Sequence, residues 1–162
     1  MAKRLQYSNE QLYNFIDKAG KATYDGQGKE VSKPERPGFT EFEYTEADFS
    51  YRDSYAGETR SRGMEIVRYK GKPVWASTYG GGIIEGKEYL DPGIINILIK
   101  ALAKDEEGFM SFRGPHELID TDWKYIYKQD GDVNEFSGYE EIYYKDELVF
   151  FHRIIGGTIN YA

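Results

Sequence analysis

At 162 residues, with 40% hydrophobic and 30% charged positions, the chain has the composition of one soluble globular domain. Lys and Arg number 21 against 28 Asp and Glu, and the net charge of −7 argues against binding through bulk charge to nucleic-acid phosphates or anionic lipid. Cysteine is absent, which excludes disulfides, thiolate zinc sites and thiol nucleophiles and leads us to expect a cytoplasmic protein. Tyrosine is in excess, 15 against 9 Phe and 2 Trp.

Met1-Ala2-Lys3-Arg4 is basic, but no apolar run of signal-peptide length follows it. The longest apolar stretch, Ile94 to Leu102, is interrupted by Asn96 and Lys100 and is too short to cross a bilayer, so no membrane partner is expected. Ser8 followed by Gln11 has the pattern of a capping box, and Leu12, Phe15, Ile16 and Ala19 recur at helical spacing, predicting a helix from about Asn9 to Gly20. Residues 24–38 are rich in Gly, Pro and charge and read as a long surface connection. From Phe39 the period becomes two. Phe42 and Tyr44 form one alternating run, Phe49, Tyr51, Asp53 and Tyr55 a second, and Met64–Tyr69 with Val74–Tyr79 a hairpin turned at Lys70-Gly71-Lys72. A second helix is predicted from Pro92 to about Lys104, with Asp91 as N-cap and Ile94, Ile95, Leu98, Ala101 and Leu102 on its buried face.

The strand region then recurs. Shifted by 75 residues, Gly63, Glu65, Tyr69, Lys70, Val74, Gly81, Gly82 and Ile84 meet the same residue types at Gly138, Glu140, Tyr144, Lys145, Val149, Gly156, Gly157 and Ile159. With one residue of slack, Phe49, Tyr51 and Gly57 meet Trp123, Tyr125 and Gly131, and Arg36-Pro37-Gly38 is echoed by Arg113-Gly114-Pro115. The expectation is an α+β fold of two tandem α-β-β-β repeats, about 8–85 and 91–160, within a single domain over 1–162. Their strands merge into one curved antiparallel sheet with both helices packed on one face. Two separate domains of this size would bury too little core.

Glu65 and Glu140 are the matched carboxylates, each in phase with apolar neighbours on its strand. A carboxylate on such a face loses hydration and needs a charged or hydrogen-bonding partner. Arg36 and Arg113 are the expected partners, because a guanidinium fork fits a carboxylate. Three readings follow: structural ion pairs, two carboxylates turned by approximate twofold symmetry toward one ligand cavity, or a general acid/base pair. Asp53 shares a face with Tyr51 and Tyr55 and is expected to bond a nearby tyrosine. The tyrosine-bearing strands line either a core or a cleft for a polar ligand. His116 and His152 lack acidic ligands at metal spacing, so no metal is expected. Gly80-Gly81-Gly82, Gly156-Gly157 and Gly26-Gln27-Gly28 do not lead into helices, which removes a phosphate cradle; bends or close backbone contacts suit them better. No other cofactor is indicated. The aligned hairpins also differ in charge: residues 60–74 hold five bases against one acid, and 135–149 one base against five acids.

The ordered motifs Arg36-Pro37-Gly38, Tyr51-Arg52-Asp53-Ser54-Tyr55-Ala56-Gly57, Gly63-Met64-Glu65, Pro73-Val74-Trp75 and Phe136-Ser137-Gly138-Tyr139-Glu140 resemble the domain-of-unknown-function family 5680, over roughly residues 10–160. The resemblance implies a free-standing or regulator-associated module for sensing or oligomerisation, and transfers no catalytic residues. With seven residues ahead of the first helix, direct DNA binding is not expected. The leading functional expectation is a non-enzymatic small-molecule-binding or sensing module, with Arg36, Tyr51, Asp53, Glu65, Trp75, Tyr79, Arg113, Tyr125 and Glu140 as ligand-binding candidates. The alternatives are a protein-interaction or dimerisation module using the oppositely charged hairpins, then a hydrolase-like enzyme using Glu65 and Glu140.

Overall fold

Ser8 opens the first helix by the reciprocal bonding its spacing to Gln11 predicts: Gln11 N–H donates to Ser8 Oγ at 3.1 Å, and Ser8 N–H donates to Gln11 Oε1 at 2.8 Å. In the computed structural model, which describes residues 6–24 and 29–161, this helix (α1) spans Asn9–Tyr24. It continues one turn past Gly20, the expected stop. Thr23 extends the buried stripe of Leu12, Phe15, Ile16 and Ala19, and its Oγ1 donates back to the Ala19 carbonyl at 2.9 Å. The basic stretch Met1–Arg4 and the Gly26-Gln27-Gly28 run lie outside the described residues.

Four strands follow: β1 (Thr40–Glu46), β2 (Phe49–Ala56), β3 (Arg60–Tyr69) and β4 (Lys72–Ile83). After α2 (Asp91–Leu102) come β5 (Glu117–Asp120), β6 (Trp123–Gly131), β7 (Glu135–Tyr144) and β8 (Glu147–Thr158). Each half therefore contributes four strands rather than the expected three. The extra strand in the second half, β5, has only four residues at a sheet edge, too few for alternation to register in the sequence. A 3-10 turn at Glu88–Leu90 already brings the chain into helical dihedrals, so Asp91 enters α2 as a first-turn residue rather than its N-cap. The buried face of α2 is also rotated from expectation. Ile97 is fully enclosed with Ile94, Ala101 and Leu102, while Ile95 is exposed and Leu98 only partly covered.

All eight strands form one antiparallel sheet in the order β1-β2-β3-β4-β8-β7-β6-β5. Each half is a meander, and the halves join where β4 pairs with β8. The helices contact one another, α1 lying against β1 and β2 and α2 against β6 and β7. This is an α+β architecture with strands and helices segregated. The halves correspond in fine detail. The ladder is bulged after Val67 and again after Ile142, 75 residues later. Lys70 and Lys145 take positive φ at equivalent hairpin turns, as the twist of a two-residue turn requires. A Cβ on Gly63 would lie 2.3 Å from the Tyr79 ring, and one on Gly138 would lie 2.7 Å from the Tyr127 hydroxyl, so the matched glycines make room for a neighbouring strand's tyrosine.

Candidate functional site

Cross-strand register brings the predicted carboxylates onto the helix-facing side of the sheet. Asp53 lies directly opposite Glu65, and Glu65 opposite Ser77; in the second half Tyr127, Glu140 and His152 form the corresponding row. Tyr51 donates to Glu65 Oε1 at 2.6 Å, and Tyr125, 74 residues later, donates to Glu140 Oε1 at 2.7 Å. The same tyrosine–glutamate pair thus occurs in each half. All four side chains are buried.

The two pairs are neutralised differently. Arg113 holds Glu140 with a two-pronged bond, Nε to Oε1 at 3.0 Å and Nη2 to Oε2 at 2.8 Å. Burial pushes the Glu140 carboxyl upward, but the Arg113 charge and its hydrogen bonds overcome that and hold it at about 2. The arginine is aimed by a stiff corner: Ser111 Oγ accepts from Arg113 N–H at 3.0 Å and donates to the Gly114 carbonyl at 2.6 Å, while Gly114 N–H donates to Tyr125 Oη at 3.0 Å. A Cβ at Gly114 would come within 2.8 Å of the Tyr125 ring.

Among the described residues Glu65 has no such partner of its own. The expected Arg36–Glu65 ion pair does not form, because the two side chains lie on opposite faces of the sheet. Arg36 reaches Met64, whose Sδ is 3.5 Å from Nη2, and Met64 points away from its strand neighbour Glu65. Neutral donors serve Glu65 instead, Tyr51 on one oxygen and Ser77 on the other. Asp53 accepts from Tyr79 at 2.8 Å. Burial, followed by the nearby Glu65 charge, raises Asp53 to about 7 despite the Tyr79 bond and the more distant Arg113 charge. Trp75, another candidate, is wholly enclosed and packs against Phe112 and Phe136, with ring centroids at 5.6 and 6.1 Å.

Three residues complete this interior without having been singled out as candidates. Tyr24, on the extra turn of α1, has its ring 4.9 Å from the Arg113 guanidinium, and its buried hydroxyl has no partner among the described residues. Ser77 and His152 stand 75 residues apart, and that offset was the signal that could have found them. His152 Nδ1 is 3.3 Å from Glu140 Oε2 but misaligned, so neither ring nitrogen makes a hydrogen bond. A separate buried acid, Glu41, sits on the opposite face and accepts from Ser54 at 2.9 Å, from the Glu35 and Arg36 amides, and from Arg52. Although burial works against it, these bonds hold its carboxyl below the usual range.

A void of about 30 Å³ lies among Tyr24, Glu65, Leu102, Ser111, Phe112 and Arg113. A groove of about 860 Å³ runs past Thr78, Asn134, Ser137 and Ile155 and touches none of the nine candidates. Among the described residues, no group of three His, Asp or Glu could hold a metal ion, and no helix is long and apolar enough to cross a membrane.

Residues 53–159, from Asp53 through both glutamates and the seam strands, match the family described as Domain of unknown function (DUF5680). The chain belongs to this family. No curated protein and no solved structure matches it. The match to DUF5680 begins at Asp53, so both matched glutamates fall inside it, whereas Arg36 and α1 with Tyr24 fall outside.

Two outcomes follow for this DUF5680 domain. Arg113→Ala, which strands a buried carboxylate, is expected to cost about 3–5 kcal/mol in urea titration, against less than about 1 kcal/mol for Arg36→Ala. Equal losses would contradict the assignment of Arg113 as the interior counter-charge. Asp53 also makes stability depend on pH. An unfolded aspartate titrates near ~3.9, so with a folded value of about 7 its contribution is complete below ~4 and lost as pH rises through about 7. Asp53→Asn is therefore expected to melt higher than the parent at about pH 8, by roughly 1–3 kcal/mol, with the difference shrinking toward about pH 5. Glu140 acts in the opposite sense, its contribution being lost only as pH falls toward about 2.

Proposed function

We propose that this DUF5680 domain is a non-enzymatic, cytoplasmic module that binds a small polar ligand in the interior between its helices and sheet. What supports the reading is the unequal treatment of two equivalent carboxylates. Glu140 is closed off by Arg113, whereas among the described residues Glu65 and its cross-strand neighbour Asp53 rest on neutral donors. A domain formed by tandem duplication fits this pattern: one half keeps a structural ion pair, and the other keeps acceptors that a ligand can use. Acid/base catalysis fits less well, since Glu140 stays ionised through the neutral range and cannot supply a proton there.

The test is a thermal-shift screen of polar metabolites on the parent protein and on Glu65→Gln. A ligand stabilises the folded state by mass action, so a hit shifts the melting temperature of the parent. The expected result is at least one compound whose shift disappears in Glu65→Gln. Hits that survive the substitution would place binding elsewhere.

A second reading, self-association, is favoured by the sheet face turned away from the helices. Ile119, Tyr139 and Ile155 are exposed there, and the matched positions Arg60 and Glu135 carry opposite charge. Two copies stacked in opposite directions would set basic against acidic halves. Sedimentation equilibrium at low and high salt is expected to give a dimer that salt weakens; a monomer in both rejects this reading.

A further inference from the structure

The interior beside Glu65 is approached between the C-terminal turns of the two helices. A hollow of about 150 Å³ is lined by Lys21, Tyr24, Ile99, Leu102 and Ala103. The 30 Å³ void shares Lys21, Tyr24 and Leu102 with it and continues to Glu65 and Arg113. Tyr24 stands between the two spaces. It is the last residue of α1, and its hydroxyl has no hydrogen bond to hold it among the described residues. Turning the side chain aside gives up the contact of its ring with the Arg113 guanidinium, 4.9 Å away, and breaks no hydrogen bond among the described residues.

Charge determines what this path admits. Arg113 is matched by Glu140, which leaves Asp53 and Glu65 facing each other with neutral donors only. Carboxylates directly opposite on adjacent strands lie close enough that both remain ionised only if a positive charge joins them. The mouth has the same sign: Lys21 is paired with both Asp17 and Asp105, two acids to one base. His152, 7% exposed, lies beside Tyr79 and faces Glu140, its Nδ1 3.3 Å from Oε2, so this imidazole serves the second-half carboxylate and leaves the Asp53–Glu65 pair to neutral donors. Tyr51 and Tyr79 direct their hydroxyls at the acid pair, and the Tyr24 ring, 4.9 Å from the Arg113 guanidinium, already serves as a cation-binding face in this interior. Two carboxylates with no third acidic or imidazole ligand grouped with them among the described residues suit an organic cation better than a divalent metal.

We propose that Asp53 and Glu65 bind a small organic ammonium ion that enters between α1 and α2, with Tyr24 as the gate. The proposal rests on the ligand-binding reading above and specifies its chemical class and its route. The carboxylates supply the counter-charge, the Tyr51, Tyr79 and Ser77 hydroxyls hold those carboxylates in place, and displacement of the Tyr24 ring makes the room.

The experiment uses the full chain and four probes: methylammonium, benzylamine, and the neutral and anionic analogues benzyl alcohol and benzoate. Binding is followed by thermal shift and by NMR titration. At least one amine is expected to bind, with the alcohol and the acid weaker by about tenfold or more. Asp53→Asn, which relieves the carboxylate repulsion and should be the more stable protein, is expected to bind the amine about tenfold more weakly. Tyr24→Ala is expected to bind it faster. A protein that gains stability and loses binding cannot be dismissed as misfolded. Silence toward both amines, or an undiminished response in Asp53→Asn, overturns the proposal. A neutral or anionic compound whose shift requires Glu65 would reject the cation while leaving the site in place; the absence of any Glu65-dependent compound would reject the site itself.

Discussion

A carboxylate on the covered face of a sheet must be given a partner, and the interior of this domain is organised around that requirement. Leaving such a group ionised and alone would cost several kcal/mol or shift its protonation. Two matched strands present a glutamate to the helix side, so the need arises twice. In the second half the connection between α2 and β5 folds back to deliver Arg113, and the Ser111–Gly114 corner exists in the form it does because the guanidinium must arrive at a fixed angle. In the first half the corresponding corner passes to the other side of the sheet and serves Glu41 through its backbone amides. One architectural requirement thus receives two chemical answers, and the difference between them gives the molecule its polarity.

Much of this was legible in the sequence because the signals were local or repeated. The Ser8–Gln11 spacing specifies a capping box without reference to the rest of the chain. Tyrosines and glutamates at a constant offset reveal equivalent strand positions, and alternation puts Glu65 and Glu140 on the covered face. Arg113 was legible as a partner for Glu140. Arg36 misled because its motif repeats in composition while the path of the chain does not: which side of a sheet a connection takes is decided by packing over a distance, and residue spacing is silent on it. The face of α2 was misjudged for a related reason. Nearly every position of that helix is apolar, so periodicity discriminates poorly, and the two turns that select Ile97 over Ile95 are set by the sheet beneath.

The tyrosine excess acquires a physical meaning from the same interior. A phenol is large and apolar enough to fill the layer under a helix, yet carries one donor that a carboxylate can accept. Tyr51, Tyr79 and Tyr125 use both properties at once: Tyr51 and Tyr125 fill the core and Tyr79, partly buried, packs against it, while all three act as counter-groups by their hydroxyls. Burial and neighbouring acids raise the ionisation of each, so the hydroxyls keep their protons and remain donors. Tyr24 differs from these three in having no hydrogen-bond partner for its hydroxyl among the described residues.

The strand order also governs how the sheet is assembled as it is synthesised. β4 occupies a central place, but its second neighbour, β8, is the last strand of the sheet to be made. Until β8 emerges, β4 carries an open ladder from Trp75 to Ile83, broken by Gly80, Gly81 and Gly82. An uncovered edge of that length is a template for another chain. The three glycines, with no side chains to pack and weak strand propensity, make that template a poor one for a stranger. They also allow the close backbone approach that β8 requires, since a Cβ on Gly81 would fall 2.0 Å from the Phe151 carbonyl oxygen. The same three glycines thus weaken the open edge for a foreign strand and fit it closely to β8.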